Sequence, residues 1–227
     1  MEINKYIDHT NLKATVTKKD IEKLCDEAKK YHFETVCINT FYVSYAKKLL
    51  ENSNVGITTV VGFPLGMNTK EVKEYEAIDA INNGADEIDM VVNIGSIKNK
   101  DFDYVKEEIE CVRDAIDGHV LKIIIETAYL TEDEIIKMTE ICNETFVNFI
   151  KTSTGFAKRG ASLEDIDIIN EHKNDLLEIK ASGGIKTEEE AIEFIEKGVT
   201  RIGTSHAMDI IKKCNCNHEC DCCKEEK

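Results

Sequence analysis

Eight short β-rich runs, separated by amphipathic stretches, are the feature of this sequence that most limits its fold. Several runs, such as IDMVV (88–92) and KIII (122–125), are nearly continuous in apolar residues. Such strands are expected to be covered on both faces, as in a parallel sheet. The eight predicted strands span residues 5–10, 35–39, 57–62, 87–93, 121–127, 146–153, 177–181 and 201–204.

The stretches between these runs carry the signals that begin helices. Thr131 with Glu134, and Thr187 with Glu190, have the spacing of a capping box. Thr17 precedes a segment whose apolar residues recur on one helical face. Further helices are predicted over residues 41–50, 69–83, 101–115 and 205–213.

Eight strands that are each followed by a helix predict a single (β/α)₈ barrel, a TIM barrel, over residues 1–213. The length of 227 residues is at the small end for this fold, so the loops must be short. An open, doubly wound sheet is the alternative. It is disfavoured because no GxGxxG motif follows the first run and because the unit repeats eight times.

The net charge of the chain limits the kinds of partner that it is expected to bind. With 44 acidic and 29 basic residues, the net charge is −15, which argues against binding nucleic acid or an anionic membrane by general electrostatics. The first residues, MEINKYIDHT, lack the apolar run of a secretory signal. No stretch approaches the roughly 18 to 20 apolar residues that span a bilayer. We therefore expect a cytoplasmic protein whose thiols stay reduced.

Five of the nine cysteines lie in one ten-residue segment, CNCNHECDCC (214–223). We therefore predict that residues 214–227 form a separate, flexible, acidic tail. The cluster resembles a site for soft metals or redox chemistry, although its spacing is not that of a zinc motif. A metal- or thiol-reactive appendage and a tail without a task are both open interpretations. The side chains that could bind a metal or take part in redox chemistry are Cys214, Cys216, His218, Cys220, Cys222 and Cys223.

Polar residues follow the predicted strands, where a barrel places its active site. Three lysines, Lys122, Lys151 and Lys180, lie within or at the end of apolar runs. One interpretation is structural, with each lysine paired to a carboxylate. The other is catalytic. Neighbouring ammonium groups lower each other's pKa, and an apolar wall lowers it further, which makes an amine nucleophilic toward a carbonyl. Asp89 is then a candidate proton carrier. Strand parity also predicts a structural pair between Lys122 and Glu126.

Two glycine-bearing turns predict an anion site. Gly183 and Gly184 follow the seventh strand, and Ser205 begins the last helix. Backbone N–H groups in such turns bind phosphate, and the common phosphate site of barrels lies after strands seven and eight. The alternative is that the glycines only make a tight turn. Because both segments occur at the expected strands, we favour phosphate.

These segments resemble those of the deoxyribose-phosphate aldolase family. The resemblance runs in order through the body of the chain, and its most specific parts are EIDMVVNIG (87–95) and FIKTSTGF (149–156). It implies a (β/α)₈ class I aldolase that reversibly cleaves 2-deoxy-D-ribose 5-phosphate to acetaldehyde and D-glyceraldehyde 3-phosphate, without a metal or other cofactor. The other matching segments are 6–13, 36–39, 60–66, 121–127, 179–187 and 201–205.

The resemblance also implies roles for individual residues. Lys151 would form the Schiff base, Lys180 would lower its pKa and join a proton relay, and Asp89 would be the carboxylate of that relay. Asp8 and Thr10 would lie beside the substrate hydroxyl and the relay. The phosphate would be held by Gly155, Gly183, Gly184 and Ser205.

The chain departs from the family pattern at three points. His206 follows Ser205 where a second small hydroxyl residue is frequent, Ser182 stands where alanine is common, and the tail contains no tyrosine to assist proton transfer. Two other functions stay open at this stage. One is metal or thiol buffering through the tail, and the other is a different phosphate-binding barrel, either an isomerase or another Schiff-base aldolase. A homodimer is the assembly that we consider.

Overall fold

The computed structural model describes residues 2–212 and shows a closed barrel of eight parallel strands. Strand order follows the sequence, and the last strand pairs with the first. The predicted TIM barrel is therefore confirmed. The strands are β1 (Ile7–Asn11), β2 (Thr35–Ile38), β3 (Gly56–Val61), β4 (Glu87–Val91), β5 (Val120–Ile124), β6 (Phe149–Lys151), β7 (Glu178–Ser182) and β8 (Arg201–Thr204).

Helices connect successive strands and cover the outside of the barrel. The capping boxes at Thr131 and Thr187 form as predicted, since each hydroxyl accepts from the backbone of the glutamate three residues later. One short helix, α4, was not predicted; Asn93 caps it by accepting from the Ser96 backbone. The helices are α1 (Lys18–Tyr31), α2 (Val43–Leu49), α3 (Lys70–Asn82), α4 (Ile94–Lys98), α5 (Phe102–Ala115), α6 (Glu132–Glu144), α7 (Leu163–His172), α8 (Glu188–Glu196) and α9 (Ala207–Lys212).

The apolar core lies between the strands and the helices. In α1, Ile21, Leu24, Cys25 and Ala28 are buried, which is the stripe that the sequence pattern predicts. Burying one large aliphatic side chain contributes about 1.5 to 3 kcal/mol, so this layer supplies most of the drive to fold. The barrel interior can therefore carry charges. No helix within residues 2–212 is long and apolar enough to cross a membrane.

A buried ion pair outside the barrel ties α3 and α5 to the end of β4. Lys73 and Glu108 have no exposed side-chain surface, and their charged atoms lie 2.5 Å apart. Lys73 also donates to the carbonyl oxygens of Gly66 and Val91, while Glu108 accepts from the backbone N–H of Asn93. Burial lowers the pKa of Lys73 and raises the pKa of Glu108 despite their mutual attraction. The pair thus fixes the chain two to four residues beyond Asp89.

Replacing Lys73 by Met should lower the free energy of unfolding by about 3 to 5 kcal/mol, because Glu108 is left buried without a cation. In the double variant Lys73→Met/Glu108→Gln, part of that loss should return, since glutamine still accepts from Asn93 and carries no charge. Urea unfolding of both variants checks this. Lys70→Met, which breaks the exposed pair with Glu107, should have a much smaller effect. Equal losses in the single and double variants would contradict the assignment.

Candidate active site

The strand register brings the predicted strand-end residues together inside the barrel. Lys151 pairs with Lys180 across β6 and β7, and Asp89 pairs with Lys122 across β4 and β5. Residues two apart on a strand share a face, so each of these strands presents an inward charge. The side chains that meet in the interior are Asp8, Glu87, Asp89, Lys122, Lys151, Lys180 and Arg201.

The upper layer of this cluster contains the three residues predicted to be catalytic. The Lys151 and Lys180 amines each lie 2.7 Å from the same oxygen of Asp89, Oδ2. Lys180 also donates to Asp8, whose side chain is fully buried. One carboxylate oxygen therefore joins the two lysines, which is the geometry required for a proton to pass between them.

A lower layer of charged residues, which the sequence analysis did not predict, orients the carboxylates of Asp8 and Asp89. Lys122 lies 2.9 Å from Oδ1 of Asp89 and 2.5 Å from Oε2 of Glu87. Arg201 lies 2.8 Å from Oδ1 of Asp8 and 3.0 Å from Glu87. Since the lower layer holds the Oδ1 atoms, the Oδ2 atoms are left for the upper lysines. The signal was present in EIDMV, where two charges alternate with apolar residues on a strand, and in RIGT, where a strand begins with a charge.

The predicted pair between Lys122 and Glu126 is wrong. Lys122 contacts Glu87 and Asp89, whereas Glu126 accepts from Thr154. The parity argument fails because β5 ends at Ile124 and Glu126 has a left-handed backbone, with φ of 51°. Alternation of side chains holds only while the strand continues.

Charge balance within the cluster favours a neutral Lys151. Four cationic side chains face three carboxylates, so the cluster is balanced when one of the four gives up its proton. Burial lowers the pKa of Lys151, and although Asp89 raises it, the nearby Lys180 lowers it further, so that it lies below the usual value of 10.5. Lys151 is thus the amine best placed to act as a nucleophile.

The partners of Lys151 keep their charges. Burial would raise the pKa of Asp89, but Lys122, Lys151 and Lys180 hold it well below its usual range. Burial would lower the pKa of Lys180, but Asp8 and Asp89 raise it above its usual value. Lys180 is therefore a protonated ammonium next to Lys151 at any ordinary pH.

A cavity of about 310 Å³ opens above this layer at the carboxyl ends of the strands. Lys151 lines it, whereas Asp89 and Lys180 lie beneath it. Of the two residues predicted to lie beside the substrate, Thr10 lines the cavity, while Asp8 is buried with its oxygens bonded to Lys180, Arg201 and Thr35. The predicted phosphate residues also line it: Gly155, Gly183, Gly184 and Ser205.

The turn after β7 requires glycine. Gly183 has φ of +82°, and a Cβ there would lie 2.9 Å from Cα of Gly160, so a side chain fits neither the backbone nor the space. The backbone N–H groups of Gly183, Gly184 and Ser205 find no acceptor within residues 2–212. Free N–H groups that converge on one end of a cavity can bind an anion.

Two departures noted in the sequence can be located. His206 lines the cavity, but its backbone N–H donates to the Thr204 hydroxyl at 2.9 Å and is therefore already used. Its Nδ1 lies 3.0 Å from Asp209. Ser182 lines the cavity and donates to the carbonyl oxygen of Ser153 at 2.6 Å, which links β7 to the segment after Lys151.

Four of the nine cysteines lie within the described barrel, and the other five lie in the predicted tail. Cys25, Cys37, Cys111 and Cys142 are free thiols, and burial raises the pKa of Cys37 inside the barrel. Within residues 2–212, no group of three or more His, Cys, Asp or Glu side chains is placed to hold a metal ion. The predicted cysteine-rich tail, 214–227, lies outside the described residues, and its role stays a prediction.

Comparison with known proteins agrees with this geometry. The family model described as DeoC/LacD family aldolase matches residues 3–210. A deoxyribose-phosphate aldolase of Finegoldia magna is 53% identical over 212 residues, which cover 93% of this chain and 100% of that protein.

Solved structures show the same likeness in three dimensions. QR15, an aldolase, is 40% identical, with a TM-score of 0.89 over 93% of this chain and 95% of that one. The tetrameric deoxyribose phosphate aldolase of Aeropyrum pernix is 28% identical, with a TM-score of 0.85 over 93% of this chain and 90% of that one. The family match spans nearly the whole barrel, including every strand end that forms the cavity. The chain therefore belongs to the DeoC/LacD family of aldolases.

Proposed function

We propose that this chain is a deoxyribose-phosphate aldolase, which reversibly cleaves 2-deoxy-D-ribose 5-phosphate to acetaldehyde and D-glyceraldehyde 3-phosphate. One observation carries the proposal. The amine of Lys151, whose pKa is lowered, lines a cavity that is also lined by glycine turns whose N–H groups have no acceptor within residues 2–212. A nucleophilic amine and an anion site in one cavity fit a phosphorylated aldehyde.

The first half of the reaction forms an imine. The neutral Lys151 amine adds to C1 of the open-chain sugar, and the resulting carbinolamine loses water to give a protonated imine. Each proton that moves in this step needs a carrier within reach. Asp89 bonds to both Lys151 and Lys180, so these two residues can supply and remove that proton.

The second half breaks the carbon–carbon bond. A base removes the proton of the C3 hydroxyl, the C2–C3 bond breaks, and its electron pair moves through C2 to the imine nitrogen, which gives an enamine. C3 leaves as the aldehyde carbon of glyceraldehyde 3-phosphate. The enamine then takes a proton at C2, and water hydrolyses the imine to acetaldehyde and free Lys151. The same relay of Asp89 and Lys180 serves these proton transfers, with water as the carrier to the substrate.

The remaining residues bind and orient the substrate. Gly155, Gly183, Gly184 and Ser205 would hold the phosphate through backbone N–H groups, and Thr10 would contact a substrate hydroxyl from the cavity wall. Asp8 would act one step away, because its position beneath the cavity lets it hold Lys180 rather than touch the sugar. For assembly and location, we propose a cytoplasmic homodimer; the relative from Aeropyrum pernix is a tetramer.

The purified protein should release acetaldehyde and glyceraldehyde 3-phosphate from 2-deoxyribose 5-phosphate, measured with coupled dehydrogenases. With unphosphorylated 2-deoxyribose, kcat/KM should fall by at least about 10²-fold, because the charge-assisted bonds to the phosphate are lost. A chelator should not change the rate, since the imine itself accepts the electron pair. Equal rates with both sugars would contradict the phosphate site, and no cleavage of either sugar would refute the activity.

A further inference from the structure

Glu126 is a buried carboxylate that the proposed reaction does not use. It follows the end of β5, its exposed fraction is 2%, and it adopts a left-handed backbone with φ of 51° and ψ of 68°. Its Oε1 atom has no hydrogen-bond partner within residues 2–212. A strained residue with a half-satisfied buried carboxylate is unfavourable for stability, so its contact with Thr154, which lines the cavity, points to function.

The other carboxylate oxygen of Glu126 holds the segment that follows Lys151. Oε2 accepts from the backbone N–H of Thr154 at 3.1 Å and also from its hydroxyl. The same hydroxyl accepts from the backbone N–H of Phe156 at 3.0 Å. Gly155 lies between these two anchored residues, so its position depends on this set of contacts, which we name the Glu126 clasp (Glu126 and Thr154).

Lys151 is held independently of the Glu126 clasp. Its carbonyl oxygen accepts from the backbone N–H of Ile125 at 3.1 Å, and that of Thr152 accepts from Thr127 at 2.9 Å. The side chain of Lys151 is bonded to Asp89. Loss of the Glu126 side chain therefore leaves the nucleophile in place and releases only the glycine end of the segment.

We propose that Glu126 is a positioning residue for substrate phosphate: it holds Gly155 so that the phosphate site and the Lys151 amine keep a fixed separation. This inference rests on the proposed function, in which Gly155 is part of the phosphate site. The Glu126 clasp thereby makes recognition of the phosphorylated end of the substrate independent of the chemistry at the other end.

Glu126→Gly is the direct test, because glycine accepts φ of 51° without strain and the variant should fold. We expect KM for 2-deoxyribose 5-phosphate to rise by about tenfold while kcat changes by less than about threefold, as when uniform binding is lost. The kinetics with unphosphorylated 2-deoxyribose should not change. Glu126→Gln should restore KM, since the amide oxygen can still accept from Thr154.

Thr154→Val tests the Glu126 clasp from its other side, and we expect it to raise KM in the same way. This variant keeps the test available if Glu126→Gly does not fold. Equal losses with both sugars, or an unchanged KM for the phosphorylated sugar, would overturn the proposal. The rate at which borohydride traps acetaldehyde on Lys151 should be the same in all variants. A wild-type protein that traps no acetaldehyde would refute the proposed function instead. Inorganic phosphate would still test the Glu126 clasp, with weaker binding expected in Glu126→Gly and equal binding refuting it.

Discussion

In the variant Lys151→Met, we expect cleavage of 2-deoxyribose 5-phosphate to fall by at least about 10³-fold. Lys13 and Lys186 also line the cavity, but their side chains are exposed and lack the contact to Asp89 that Lys151 makes. The protein should stay folded. Removing Lys151 leaves three cations, Lys122, Lys180 and Arg201, to face three carboxylates, so no buried charge loses its partner. Thermal unfolding should show this directly.

Trapping the intermediate identifies the nucleophile. Acetaldehyde and borohydride should add one reduced two-carbon group to the wild-type protein, and peptide mass spectrometry should place it on Lys151. Lys48→Met, which removes an exposed lysine far from the proposed machinery, should leave the adduct unchanged. An adduct on Lys180 or Lys122 instead would reassign the nucleophile, and an active Lys151→Met variant would refute the Schiff-base mechanism.

In the variant Lys180→Met, we expect kcat to fall by about 10² to 10⁴-fold at neutral pH, the range for loss of acid–base catalysis. The cluster then holds three cations and three carboxylates, and it is balanced only when Lys151 is protonated. Asp89 also loses a competing partner and binds Lys151 more strongly. Both effects raise the pKa of Lys151 and deplete its nucleophilic form.

The pH profile separates this explanation from simple damage. The amine reacts when it is deprotonated, so the rate of imine formation rises as pH increases through the pKa of Lys151, which lies below 10.5 in the wild type. In Lys180→Met, this rise should move to higher pH, and part of the activity should return in alkaline buffer. A lower rate with an unchanged profile would show that Lys180 does not set the pKa of Lys151.

The fold could be predicted because barrel strands and helices carry strong local signals. Apolar runs bounded by helix caps place all eight strands, and most predicted ends differ from the observed ones by one or two residues. The fifth and sixth runs differ most: β5 ends at residue 124 and not at 127, and β6 covers only 149–151 of the predicted 146–153. Phe146 has φ of 51°, and the side-chain oxygen of Asn148 accepts from the backbone N–H of Leu121 at the start of β5. The apolar residues before Phe149 therefore belong to a loop.

The site was predicted in part for a different reason. Lys151, Lys180, Asp89 and the glycine turns follow strands, and the register of a closed barrel brings strand ends together. Glu87 and Arg201 escaped notice because a charge near the start of a strand reads as a solvent-facing end. Their burial is fixed by contacts between β4 and β8, which lie on different sides of the barrel, and a single sequence does not encode that meeting locally.

The closure of the barrel between β1 and β8 also bears on how the enzyme is made. Lys180 bonds to Asp8 across 172 residues of chain, and Arg201 bonds to the same carboxylate across 193. During synthesis Asp8 leaves the ribosome 193 residues before Arg201, so the first strand waits until the rest of the barrel is made for its charge partners. A partly made chain can form helices and neighbouring strands, but Asp8 has neither of its cationic partners until β7 and β8 are made. Catalytic competence is therefore acquired in one step, when the final strand docks and the ring of charges becomes neutral.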